Sequence, residues 1–143
     1  MLNDFLYVIT AAGAWLAAQA VKIAISLRQD GLSWQDLVTS GGMPSAHVAL
    51  VTSMAVVIAM SEGPASPVFG VALTLWGVVV YDAVGVRRAT GENTQIIRRI
   101  ADKLKLGDQR TALHLALGHS PYQVFAGAVL GLGWGWLIYW LLG

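Results

Sequence analysis

An all-α helical bundle integral to a membrane is the fold class this sequence predicts, on three observations. The residues are 56% hydrophobic and only 12% charged, against roughly a quarter charged in soluble domains. The mean hydropathy is +0.62. Several stretches also supply the roughly 20 mostly apolar residues that a bilayer-crossing helix needs. The 143 residues amount to a single domain, 1–143. The expected architecture is about four transmembrane helices plus a short amphipathic interfacial helix. A net charge of +1 gives no reason to expect nucleic acid as a partner, and the absence of cysteine removes disulfides and thiolate metal sites.

The first segment runs from about Phe5 to Leu27, interrupted only by Thr10, Gln19, Lys22 and Ser26. No basic region or small-residue cleavage site accompanies it, so it is expected to be retained rather than removed as a signal peptide. Lys22 and Arg28 lie at its C-terminal end, where the plain structural reading of a lysine is one that snorkels to the interface. Residues 29–42 form a polar connection, with a short interfacial helix expected around Trp34–Val38. In Gly41-Gly42-Met43-Pro44-Ser45-Ala46-His47 the glycines free the backbone to turn sharply, and Pro44 suits the first turn of a helix. That second segment extends to about Ser61 and ends in the turn Glu62-Gly63-Pro64.

The third segment runs from about Pro67 to Val86, followed by Arg87-Arg88, and carries Asp82, the only acidic residue inside an apolar stretch. An ionisable residue within a span is functional by default. On a continuous helix Arg87 lies about 140° around from Asp82, so direct pairing requires the helix to break near Gly85. Residues 89–118 are the one long polar excursion. Within it Ile96, Ile97, Ile100, Ala101 and Leu104 recur at helical spacing, opposite Arg98, Arg99, Asp102, Lys103 and Lys105. That pattern predicts an amphipathic helix on the membrane surface or against the bundle. Leu113 to Leu117, interrupted by His114, reads as a second short helical piece, with His114 packed or interfacial. The fourth segment opens at Ser120-Pro121 and runs to the C-terminus. Gly127, Gly131 and Gly135 allow close helix packing, within the bundle or in a homodimer, and Trp134, Trp136 and Trp140 read as an outer membrane anchor belt.

Four spans place both termini on one side and all nine Lys and Arg residues on the other. The positive-inside rule makes the basic side cytoplasmic and puts both termini outside. The five cations in the 89–118 excursion carry that orientation without the four nearer the helix ends. The same topology brings His47, His119, Lys22, Arg28, Arg87 and Arg88 to the cytoplasmic face beside two helix N-termini, whose free N–H groups and positive dipole ends favour an anion. A phosphate fits this set: one histidine can attack phosphorus, the other can protonate the leaving oxygen, and the cations can hold the equatorial oxygens. The bland alternative at Gly41–His47 is a capped helix start with an incidental histidine. Neither a Walker-type loop nor paired carboxylates for Mg²⁺ occur, and no cofactor or metal is expected. Asp82 can support a histidine or hold an arginine. Ser120-x-x-Gln123 is a capping box, and Gln123 reads equally as cap and as an orienter of a histidine.

Pro44-Ser45-Ala46-His47 resembles the Pro-Ser-Gly-His motif of the type 2 phosphatidic acid phosphatases, relatives of the vanadium haloperoxidases. Gly118-His119-Ser120-Pro121-Tyr122-Gln123-Val124-Phe125-Ala126-Gly127 looks like their third motif. Taken with Tyr81-Asp82-Ala83-Val84-Gly85-Val86-Arg87-Arg88, the chain is similar in order and spacing to the compact divergent branch of that superfamily. The resemblance implies that His119 is the nucleophile forming a phosphohistidine and that His47 is the general acid. It implies that Ser45 and the Ala46 N–H bind phosphate oxygens, and that Lys22 stands for the lysine of the first motif. Three departures accompany it. Arg28 follows Lys22 one residue early and without a proline. Ala112-Leu113 occupies the place of Ser-Arg, for which Arg87 and Arg88 are the substitutes on charge and topology. Gln123 stands where the family carries aspartate.

The resulting expectation is a metal-independent membrane phosphatase acting at the cytoplasmic face on a lipid phosphate monoester or diphosphate. Phosphatidylglycerol phosphate, phosphatidic acid and polyprenyl diphosphate are the candidate substrates. The main alternative is a non-catalytic protein on the same fold that binds lipid headgroups or serves as a subunit of a larger membrane complex. A metal site built from His47, His119 and Asp82 is disfavoured by the surrounding cations.

Overall fold

The computed structural model describes residues 5–29, 42–104 and 120–143. The helices expected around Trp34–Val38 and over Leu113–Leu117 lie outside the described residues. In chain order the elements are α1 (Leu6–Gln29), α2 (Ala46–Glu62), α3 (Pro67–Tyr81), a π-helical turn (Asp82–Val86), α4 (Arg87–Lys103) and α5 (Pro121–Leu142). No strand occurs among the described residues. The protein is an all-α membrane bundle.

The helix starts are chemically marked. Ser45, Ser66 and Ser120 are N-caps, and proline opens α3 and α5. A serine oxygen there accepts an N–H that has no partner within the helix, as Ser66 Oγ does from the Phe69 N–H at 3.2 Å. Helix α2 ends at Gly63, whose φ of 85° suits glycine above other residues.

The segments over Leu6–Arg28, Pro67–Gly85 and Pro121–Leu142 are long and apolar enough to cross a bilayer. Helix α2 has 17 residues, about 25 Å at the α-helical rise, which is the short end of the spanning range. It is the centre of the bundle and packs against α1, α3 and α5. Leu6 and Val57 meet Ile138 at one end, while Ala18 meets Ala46 and Ala49 towards the other. These pairings run α1 antiparallel to α2. Trp76 donates its indole N–H to Thr52 Oγ1 at 2.9 Å, and Ala83 packs with Val48, so α3 is antiparallel to α2 as well.

Helices α2 and α5 run parallel, and the glycine stripe is the reason they can touch. A methyl group on Gly127 would sit 2.5 Å from the Ser45 carbonyl oxygen, and one on Gly135 2.7 Å from that of Ser53. At Gly131 it would overlap the Ala49 carbonyl oxygen outright and stand 2.7 Å from Thr52 Cβ. Of the two uses open to Gly127, Gly131 and Gly135, the structure shows packing within the bundle. That face is filled by α2 and is not the surface a homodimer could use.

Two further expectations change. Trp134 is not part of an outer belt: its indole lies across Gly13 of α1 and packs into the Leu6, Val57 and Ile138 cluster. Trp136 and Trp140 remain outside, 57% and 67% exposed. The third segment does not stop before Arg87-Arg88 either. No proline occurs between Pro67 and Lys103, and the helix passes through the π turn directly into α4.

Gly131 and Gly133 provide a matched test of this packing. Alanine at Gly131 is expected to cost about 1–3 kcal/mol through overpacking and to lower the thermal unfolding midpoint in detergent micelles. Gly133 has open space around it, so alanine there should be neutral or mildly stabilising through helix propensity. Equal midpoints for the two variants would contradict the α2–α5 contact.

Candidate functional site

One end of the bundle gathers most of the chemistry-bearing residues, and the packing beneath them explains why. Val48, Ala83 and Val124 form a single buried cluster. Their chain neighbours His47, Asp82 and Gln123 are therefore carried to the same end on three different elements. Lys22 joins from α1, one helical turn beyond Ala18, which packs on Ala46 and Ala49.

The approach to α2 bends around Lys22. Gly42 has a φ of 93°, a conformation that residues with a Cβ rarely adopt. A Cβ there would lie 3.8 Å from Lys22 Cδ, so the lysine stem runs along the turn at van der Waals distance. The side chain is half-buried. Arg28, further along α1, is exposed.

Ser45 is fully buried and serves as a joint. Its Oγ accepts from the Val48 N–H at a long 3.5 Å, its carbonyl accepts from the Ala49 N–H at 3.0 Å, and its own N–H donates to the Gln123 carbonyl at 3.0 Å. Ala46 is buried directly above it, and the His47 side chain is exposed. The first turn of α2 is thus bonded to the first turn of α5.

Gln123 closes the second helix start. Its Oε1 accepts from the Ser120 N–H at 2.8 Å, and Ser120 Oγ accepts from the Gln123 N–H at 3.4 Å. The capping role is therefore real. It leaves the side-chain NH₂ as the part of Gln123 able to reach another group. Gln123 is half-buried.

Asp82 opens the π turn, half-buried, with its N–H directed to the Val78 and Val79 carbonyls. The break near Gly85 that pairing with Arg87 was expected to need does not occur. The helix widens instead. In a π turn the repeat is i→i+5 rather than i→i+4, so the backbone spacing that separates residues 82 and 87 on an α-helix is reduced without ending the helix.

His119 lies outside the described residues, as do the side chains of Arg87 and Arg88. His119 is the residue before Ser120, the cap of α5, and Arg87-Arg88 open α4. Among the described residues, no group of three His, Cys, Asp or Glu side chains is placed to hold a metal ion. The arrangement presents two parallel helix N-termini at one level, the end at which a helix favours negative charge, with a lysine beside one of them. Sequence reasoning missed the Gln123 carbonyl as the acceptor that joins the two starts. Gly127, four residues on and pressed against Ser45, is the signal that could have revealed it.

The sequence profile of the Divergent PAP2 family matches residues 3–134. A relative in Bacillus subtilis (strain 168), the uncharacterized membrane protein YuiD, is 29% identical over 138 residues, covering 87% of each chain. No solved structure matches.

Gln123→Ala removes half of the capping box and is expected to cost about 1 kcal/mol. Gln123→Glu retains the acceptor and should keep the wild-type midpoint. Chemical or thermal unfolding of the two variants side by side checks this, and a Glu variant as unstable as the Ala variant would count against the cap.

Proposed function

The chain belongs to the Divergent PAP2 family, and on that premise we propose that it is a membrane lipid phosphatase working through a phosphohistidine. The observation that carries the reading is the Ser45 N–H to Gln123 carbonyl bond. It holds the start of Pro44-Ser45-Ala46-His47 against the start of the helix that follows Gly118-His119, the two motifs the chemistry requires together.

In this reading a lipid phosphate enters from the cytoplasmic face, with both chain termini on the outer side. Its tail lies between the helices and its phosphate meets the paired N-termini. A His119 ring nitrogen attacks phosphorus, the P–O bond to the lipid breaks, and His47 gives its proton to the departing oxygen. Water then attacks the phosphohistidine, with His47 taking the proton back, and inorganic phosphate leaves. Lys22, Arg87 and Arg88 hold the equatorial oxygens while charge builds on them. The Ala46 N–H and the Ser45 hydroxyl hydrogen contribute donors at the α2 start. Asp82 and the Gln123 NH₂ act as supports for the cations and the histidines. Cytoplasmic access favours a phospholipid intermediate such as phosphatidylglycerol phosphate over phosphatidic acid or a polyprenyl diphosphate.

A second reading keeps the same anion site without turnover, as a lipid-headgroup binder or a subunit of a larger membrane complex. Gln123 supports it, because a glutamine committed to a cap supplies no negative charge to stabilise a histidine cation.

Phosphate release by purified protein in detergent, with EDTA present and each candidate lipid offered in turn, separates the two readings. Release should persist in EDTA, fall at least about a thousandfold in His119→Ala, and fall about 100- to 10,000-fold in His47→Ala. Gln123→Glu should leave it unchanged or raise it. No release from any of the lipids by folded protein selects the binding role, and a stoichiometric metal in the purified protein would remove the phosphohistidine mechanism.

A further inference from the structure

The helical rod made by α3, the π turn and α4 reaches from Pro67 to Lys103, yet only Pro67–Gly85 has the composition of a span. The remainder carries a row of large apolar side chains that no other described residue covers. Ile96, Ile97, Ile100 and Leu104 are 54%, 48%, 51% and 64% exposed. The Leu104 N–H bonds the Ile100 carbonyl at 3.0 Å, so the helical path continues to Leu104. At α-helical spacing these four positions fall within an arc of about 100°. Gln95, Arg99 and Lys103 make a second row alongside, all exposed. From Ile96 to Lys105 the sequence holds basic residues at 98, 99, 103 and 105 against one acidic residue at 102.

A partner for this face must be apolar beneath and negatively charged at its rim. A second copy of the same helix would bring one basic row against another. A leaflet containing anionic lipids meets both requirements. The π turn lies between the spanning and amphipathic halves, and π bulges are among the few places where helices kink sharply.

We infer that α4 is a membrane-surface anchor. It docks on an anionic leaflet with Ile96, Ile97, Ile100 and Leu104 at the acyl boundary and with Arg99 and Lys103 among the headgroup phosphates. The inference stands apart from catalysis, since it uses none of the residues assigned to phosphate transfer.

The chain has no cysteine, so Ile97→Cys and Gln95→Cys each create a single labelling point on neighbouring faces. Each full-length variant, carrying an environment-sensitive fluorophore, is reconstituted into vesicles of phosphatidylcholine with phosphatidylglycerol or of phosphatidylcholine alone. In the anionic vesicles the probe at 97 should be blue-shifted, quenched by nitroxide-bearing lipid, and about tenfold less accessible to aqueous acrylamide than the probe at 95. The contrast should shrink in phosphatidylcholine alone, and in anionic vesicles when Arg99→Glu and Lys103→Glu are combined. Equal acrylamide access at 97 and 95 in anionic vesicles would overturn the inference. So would a probe at 97 shielded from both quenchers until the protein is diluted in lipid, the signature of a second copy on this face.

Discussion

The contact between α2 and α5 is the constraint from which the rest of the structure follows. Apolar side chains gain little by leaving lipid for one another, so helices in a bilayer associate through close packing and hydrogen bonds. Here Gly127, Gly131 and Gly135 lie over the carbonyls of Ser45, Ala49 and Ser53. Both rows advance by four residues per contact, which requires the two helices to be parallel. The Ser45 N–H bond to Gln123 sets the register at the end where the motifs begin. A slip of one residue would drive a side-chain Cβ into a carbonyl and take the acceptor away from Ser45.

Several hydroxyl groups elsewhere in the bundle are occupied with structure. Thr10 Oγ1 donates to the Leu6 carbonyl at 2.8 Å, Ser53 Oγ to the Leu50 carbonyl at 2.8 Å, and Tyr7 OH to Glu62 at 2.9 Å. The Thr10 and Ser53 bonds are the local solutions a hydroxyl finds when no water is at hand, whereas the Tyr7 bond joins two helices at the exposed end of the bundle. The motif end differs. Lys22, His47 and Asp82 bring charge or titratable chemistry, and Gln123 a neutral amide, to a place where the apolar cluster of Val48, Ala83 and Val124 already does the packing.

Much of the fold was legible because lipid imposes a coarse alphabet. The starts of the four apolar segments, and the ends of the first, second and fourth, were predicted to within a few residues, and serine or proline marked the openings of the last three. The Ser120–Gln123 capping box was readable because its partners are three residues apart. What was not legible depended on neighbours distant in sequence. Trp134 looks the same as Trp136 in one dimension, and only Gly13 of α1 distinguishes an inward indole from an outward one. The glycine stripe announced close packing but could not say whether its partner was this chain or another. The π turn at Asp82–Val86 left no signal because Arg87-Arg88 resembles the end of a span. The motif residues were found from their likeness to a family. Their convergence was found from topology, and the bond that unites two of their helices came from the structure alone.

The pairing of Ser45 with Gln123 has a bearing on how the molecule is put together. The two partners belong to the second and the last of the described helices, with a hairpin and a long polar excursion between them. Until α5 enters the bilayer, the buried Ser45 N–H lacks its acceptor and the carbonyls of Ser45, Ala49 and Ser53 lack the glycines that cover them. Helix α2, central and short, must therefore wait in a half-made bundle. The joining of the two helix starts is a late event in biogenesis, completed only when α5 docks, and a chain interrupted before α5 would carry Lys22, Ser45 and His47 without the Gln123 carbonyl that ties those starts together.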